Sequence, residues 1–350
     1  MRLPVTVLTS MDPVLRDSAT AAALWGEPGT ALLRYDLLPE ALHRLVTEFG
    51  GVVEDVTVPL EHACLGCALR EDVLPTVAAI ARSGRFARLV LALPVAAEPL
   101  AALQALTHGV DGGDDLADLV AVGGVVSVVG GPGLLDDLLG DDLLADGDRA
   151  VGEVLAHQLD EADLVLVDGT LPARSAVLLD HVTAPGCTVA DLLAADAADL
   201  LAPRRVATSE PLRRSDLRAV RPSGAGDRLG VFTLDLRTPA PLHPQRLLDE
   251  IEAVGAGRLR ARGVFWVPSR PGVVCAWDGA GGQLSIGSIG QWDTPGGERP
   301  RTRLVVTGVD DGDAERVSAA FERILATPAE TRGWTAPQDG LEPWLGDRDG

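Results

Sequence analysis

Two cysteines three positions apart, Cys64 and Cys67, stand in the run Leu60-Glu61-His62-Ala63-Cys64-Leu65-Gly66-Cys67-Ala68-Leu69-Arg70-Glu71-Asp72. A thiolate binds soft or borderline metals, and helix N–H groups or a nearby arginine stabilise it. The run lies between a strand-like and a helix-like segment, which puts Cys67 near a helix N-terminus with Arg70 close by. Zinc suits this donor set: Cys64 and Cys67 supply two ligands, with His62 or Glu61 in short reach as a third. Structural zinc usually takes four ligands, and Cys187 and Cys275 are single and distant in sequence. The pair alone therefore also fits a thioredoxin-like dithiol, or two half-buried thiols at a strand-to-helix turn. No Ser/His/Asp or Cys/His set can be chosen from spacing, and His108, His157, His181 and His243 read as surface or capping residues.

Composition narrows the chemistry further. The 350 residues carry 51 acidic against 30 basic side chains, a formal charge of −21, and every basic one is arginine, since the chain holds no lysine and no asparagine. Schiff-base and pyridoxal-phosphate chemistry needs a lysine amine, and an ordinary phosphate-binding loop needs a lysine on the terminal phosphates. The charge disfavours a broad grip on DNA or on anionic membranes. No apolar run is long enough to span a bilayer, and Met1 to Ser10 lacks a signal-peptide pattern, so the expected location is cytoplasmic.

The elements that must position these residues read as an α/β domain with a mostly parallel sheet, followed by a smaller α+β domain. Strands are expected at Pro4 to Ser10, Ala31 to Leu37, Val52 to Leu60, Arg88 to Pro94, Gly124 to Gly130 and Leu164 to Asp168. Helices are expected at Leu38 to Phe49, Arg70 to Arg82, Glu98 to Leu106 and Glu153 to Glu161. An Arg-rich stretch with Pro, Ser and Gly, 203–228, reads as a linker between a first domain over 1–202 and a second over 229–328, with a tail at 329–350. The second domain shows strands at Val231 to Leu236, Leu259 to Trp266, Val273 to Asp278, Gln283 to Ile289 and Arg303 to Gly308. Its helices fall at His243 to Val254 and Asp313 to Leu325, and its tryptophans read as core anchors. Acidic Asp111 to Asp118 reads as an exposed loop.

The order of motifs resembles the CobW family of P-loop GTPases, metallochaperone-like proteins associated with zinc and cobalt. Val5-Thr6-Val7-Leu8-Thr9-Ser10 is similar to the family's entry to the phosphate loop, and Cys64 to Arg70 to its Cys-x-Cys-Cys metal motif. Ala97-Glu98-Pro99 resembles its Gly-Leu-Ala-Glu-Pro segment. Arg260-Ala261-Arg262-Gly263-Val264-Phe265-Trp266, with Gly281 to Trp292, resembles its C-terminal pattern. The resemblance implies a P-loop-NTPase-like sheet domain and a CobW C-terminal domain. It also places the phosphate loop at Ser10 to Ser18, where Ser10, Arg16, Asp17 and Ser18 stand at nucleotide-contacting positions.

Those positions depart from the family. The loop glycines are gone, Arg16 replaces the lysine, and Asp17 stands where a hydroxyl would hold Mg²⁺. Ala92-Leu93-Pro94-Val95 lacks the family's carboxylate, and Asp168-Gly169-Thr170-Leu171 replaces Asn-Lys-x-Asp. GTP and Mg²⁺ are therefore not expected as cofactors, and a divergent GTP hydrolase is the alternative reading. In the metal motif Gly66 replaces the middle cysteine. A narrower resemblance, Cys64 to Asp72, is to actinobacterial CobW-like proteins linked to zinc limitation and to recruiting a ribosome hibernation factor. It implies a zinc-responsive adaptor with a protein partner, either a metal acceptor or a ribosome-associated factor.

Overall fold

In a computed structural model of the chain, residues 2–347 are described except 26, 63, 109–115, 146, 148, 205–213, 293–298 and 335–338. Most of the acidic segment Asp111 to Asp118 and the centre of the Arg-rich stretch thus lie outside the described residues. The chain divides into two compact units.

The first unit comprises Met1–Leu134, His157–Pro172 and Thr183–Ser215 and holds an eight-stranded sheet. Its strands are β1 (Leu3–Ser10), β2 (Thr30–Leu38), β3 (Ala41–Glu48), β4 (Gly51–Pro59), β5 (Arg88–Ala92), β6 (Val120–Gly130), β7 (Leu164–Asp168) and β8 (Thr188–Asp191). Their spatial order is β4-β3-β2-β5-β1-β6-β7-β8. From β2 onward neighbours run parallel, while β2-β3-β4 is an antiparallel meander. The central strands are apolar on both faces because both are covered. Val5, Val7, Leu89 and Leu91 share one core with Leu74, Val77, Leu103 and Leu106. Leu8, Val90, Ala92, Val126 and Leu164 share another with Ala19, Ala23, Leu200 and Leu201.

The expected helix Leu38 to Phe49 is instead β3. Leu42, Leu45 and Val46 fit a helical stripe, but Leu42 and Val46 also share one face of a strand, and both are buried in the core. The pairing partners on either side, β2 and β4, decide the matter by completing both hydrogen-bond ladders. The stretch expected to form a phosphate loop turns at Met11 and Asp12 and enters a helix over Pro13–Leu24. Asp12 as N-cap and Pro13 at the first helical position were the local signal for that start.

The second unit comprises Leu135–Ala156, Ala173–Val182 and Asp216–Gly350. It holds an antiparallel sheet of β9 (Phe232–Thr238), β10 (Leu259–Phe265), β11 (Val273–Ala280), β12 (Gln283–Gln291) and β13 (Thr302–Gly308), ordered β12-β11-β10-β13-β9. Helices Pro244–Gly255 and Asp313–Ile324 cover one face, burying Leu247, Val254, Val317 and Phe321 against Phe265 and Trp277. Trp277 and Trp292 are core anchors. Gly263 in β10 has φ +154°, and a Cβ there would lie 2.0 Å from the Arg303 carbonyl oxygen, so only glycine permits this approach of β13.

Candidate metal centre

β4 ends at Pro59, and Leu60 is held by its N–H to the Glu40 carbonyl, 3.2 Å. The chain then reaches Cys64, an extended N-cap residue (φ −130°, ψ 155°) that opens a helical run of Leu65–Ala68, a π turn Leu69–Val73 and the helix Leu74–Ser83. The Cys67 N–H donates to Cys64 Sγ at 3.4 Å, and Arg70 Nη2 lies 3.8 Å from Cys67 Sγ. Cys64 is exposed and Cys67 buried, and neither is in a disulfide. Hydrogen bonds from the Cys67 N–H and thiol, with Arg70 beside them, hold the Cys64 thiol below its ordinary pKa. Cys67 shifts the opposite way, chiefly because its S–H donates to Cys64. Of the two sulfurs at this helix start, the exposed Cys64 is the more acidic.

Glu61 and His62 are exposed. Among the described residues no three His, Cys, Asp or Glu side chains converge on a metal position. The expected third ligand is therefore not in place beside the pair.

A second set of residues, which the sequence did not single out for this role, anchors the motif from behind. Asp72, in the π turn, is buried and accepts the Tyr35 O–H from β2 at 2.8 Å. Its other oxygen pairs with Arg44 from β3, which also pairs with Glu54 from β4. π turns inside helices frequently sit at functional sites. These partners stand 28 and 37 positions from Asp72 and leave no local signal.

The nucleotide-contacting positions implied by resemblance are all engaged within the protein. Ser10 Oγ donates to the Val128 carbonyl at 2.9 Å. Asp12 accepts from Val14 N–H at 2.6 Å and Leu15 N–H at 3.1 Å. The protein's own carboxylate thus occupies the helix N-terminus where a phosphate would draw on the same donors. Arg16 is buried and bonds Asp36 at 2.7 Å and the Tyr35 and Leu93 carbonyls at 3.2 and 3.3 Å. Asp17 pairs with Arg34 at 3.1 Å, and Ser18 Oγ donates to the Val14 carbonyl at 2.8 Å. In the segment Ala97-Glu98-Pro99, Glu98 meets His157 at 3.0 Å, and the Ala97 carbonyl accepts from Gln158 at 2.9 Å.

Residues 231–325 match the cobalamin synthesis protein cobW C-terminal domain. A Mycobacterium tuberculosis protein named zinc chaperone is 27% identical over 305 residues, covering 83% of this chain and 74% of that protein. The second unit carries a CobW C-terminal domain, and the chain is similar to CobW-family proteins. The zinc-regulated GTPase metalloprotein activator 1 of Dictyostelium discoideum is 24% identical over 265 residues, 68% of this chain and 55% of that one. The zinc-bound YjiA GTPase of E. coli aligns over 93% of this chain and 99% of its own at 16% identity, with a TM-score of 0.40. The CobW C-terminal match starts one residue before β9 and ends one residue after the helix Asp313–Ile324, so it spans the whole second sheet and the two helices on it. Among the described residues no helix is long and apolar enough to cross a membrane.

Proposed function

We propose that this CobW-like protein carries or senses zinc through Cys64 and Cys67 without hydrolysing GTP, and that its zinc state is read by a protein partner. The observation that carries this reading is the pair of neighbouring free cysteines at an exposed helix start. Cys64 and Cys67 would hold zinc as thiolates, releasing their thiol protons, with further donors to come from an acceptor. The names of the mycobacterial and Dictyostelium relatives support a zinc role. The absence of GTPase activity is supported by a chain without lysine and by the Asp12 carboxylate on the helix N-terminus. Bound zinc fixes the Cys64 loop and so alters the surface offered to the partner. That partner is a metal acceptor or, on the actinobacterial resemblance, a ribosome-associated factor contacted through protein, since a surface of charge −21 is repelled by rRNA.

The test is zinc competition titration of the full chain beside Cys64→Ser and Cys67→Ser, with GTP turnover and nucleotide thermal shifts measured in parallel. The expected result is stoichiometric zinc lost in both variants, with no turnover and no nucleotide shift. Unchanged zinc affinity in Cys64→Ser, or GTP turnover by the wild type, overturns the corresponding half of the reading.

A further inference from the structure

The helix-free face of the second unit's sheet gathers arginines from three stretches of chain. β9 and β13 pair so that Arg237 stands opposite Arg303 and Asp235 opposite Val305. Residues two apart on one strand point to the same face, so Asp235, Arg237, Arg303 and Val305 share one side. Leu234, Leu236, Leu304 and Val306 point the other way, into the helix-covered core. Arg303 forks onto Asp235 through two 2.8 Å hydrogen bonds, and Arg237 reaches the same carboxylate at 3.1 Å. Arg301, one step outside β13, donates to the Arg218 carbonyl at 3.2 Å and lies over the Trp292 ring. Arg218 in turn donates to the Ile289 carbonyl at 3.3 Å. Arg221 bonds the nearby Ala219 and Val220 carbonyls and sits in the field of Arg303, Arg301 and Arg237. Arg303, Arg237 and Arg221 thus share the field of one carboxylate, Asp235, with Arg301 beside Arg221, while Asp216 is engaged with the Arg218 N–H at 2.9 Å.

Such crowding is costly in a chain free to distribute its charge. Burial and the like charges of Arg303 and Arg301 push the Arg221 guanidinium below its ordinary pKa. Arg221 is exposed, and the Arg237 side chain is 67% exposed, so both keep N–H donors toward solvent. Guanidinium forks match the oxygens of phosphate, and a ligand bearing several charged oxygens relieves the repulsion as it binds. The donors converge from separate segments instead of running in a row, which suits a compact anion. An extended polyanion would also meet the rest of a −21 surface.

We propose that Arg221, Arg237, Arg301 and Arg303 form a binding site for a compact, multiply charged phosphate, with Asp235 as the internal anion that holds the cluster together until the ligand arrives. This site is separate from Cys64 and Cys67 and does not depend on the zinc reading. Free di- or oligophosphate and the backbone of a nucleic acid share the recognising chemistry, and the charge balance favours the former.

The experiment is isothermal titration of the full chain with inorganic diphosphate at constant ionic strength, with a trace of chelator so that metal binding by diphosphate contributes no heat. Arg221→Gln/Arg237→Gln removes two exposed donors and should weaken binding at least about tenfold. Arg85→Gln changes the net charge of the first unit by one exposed arginine and should leave binding within twofold. Asp235→Asn removes the internal competitor and should tighten it. No binding by the wild type, equal losses in the Arg85 control, or a short single-stranded RNA binding this face more tightly than diphosphate would each overturn the proposal.

Discussion

Asp72→Ala should loosen the helical run behind the cysteines by an amount that can be worked from its contacts. The carboxylate is buried and holds three groups at once: the Tyr35 O–H at 2.8 Å, the Thr76 hydroxyl at 3.4 Å and the Arg44 guanidinium, whose side chain is only 16% exposed. Removing one partner of a buried ion pair costs roughly 3–5 kcal/mol. Arg44 keeps Glu54, which is 42% exposed, so about 3 kcal/mol is the expected loss here. Tyr35→Phe removes a single neutral donor and should cost about 1 kcal/mol. Two compact units make a single global midpoint ambiguous, so the assay is hydrogen exchange read peptide by peptide. A 3 kcal/mol loss raises exchange in 65–83 and in β3 roughly a hundredfold where opening is local. Peptides from β10 and β13 should not change. Tyr35 is the only tyrosine, so its ionisation is a second readout. Burial, then Asp72, hold its phenol above its ordinary pKa of 10. The folded state favours the protonated form, and this stabilisation is present below pH 10 and lost as pH rises beyond it. Tyrosinate absorbance should therefore appear only as the first unit opens. Unchanged protection of 65–83 in Asp72→Ala, or an equal cost for Tyr35→Phe, would refute the claim that Asp72 anchors the motif.

Alkylation with iodoacetamide near neutral pH, followed by mass spectrometry, should modify Cys64 first. Burial pushes the Cys187 thiol up to about 11 and the Cys275 thiol up to about 12, so both carry little thiolate there. Asp339 in the second unit is buried, which opposes its charge. Arg270 at 2.9 Å, Ser269 at 2.6 Å and the Leu341 N–H at 3.0 Å nonetheless hold its carboxyl below the usual range. Its contribution is present above the ordinary aspartate pKa and lost as pH falls through the folded value, so Asp339→Asn should flatten the acid limb of a stability–pH curve followed by tryptophan fluorescence. Gly263→Ala forces a Cβ against the Arg303 carbonyl and should lower stability by about 3 kcal/mol, read as a lower thermal midpoint of the second unit.

The parts of this fold that could be read from the chain were those fixed by neighbours in sequence. In the second sheet β9 alternates, Leu234 and Leu236 against Asp235 and Arg237, and each strand lies within a few residues of its expected span. The Cys64–Cys67 spacing placed both sulfurs on one turn, and the structure brings them together. What was not legible depends on distant partners. β3 is a strand because β2 and β4 flank it, and nothing within Leu38 to Phe49 says so. The same pairing delivers Arg44 and Tyr35 to Asp72.

The first turn of the sheet shows how a fold and a phosphate site at the same turn make different demands on the chain. β1 and the helix Pro13–Leu24 need only a buried strand, an N-cap and an apolar helix face, and Asp12, Pro13, Ala19 and Ala23 supply them. Phosphate binding at the same turn needs those helix N–H groups left free and a flexible cation above them. Here Asp12 takes Val14 and Leu15 N–H, and Asp36 with two backbone carbonyls takes Arg16. A phosphate would have to displace an intramolecular carboxylate already at hydrogen-bond distance, whereas the sulfur of Cys64 is exposed at its own helix start.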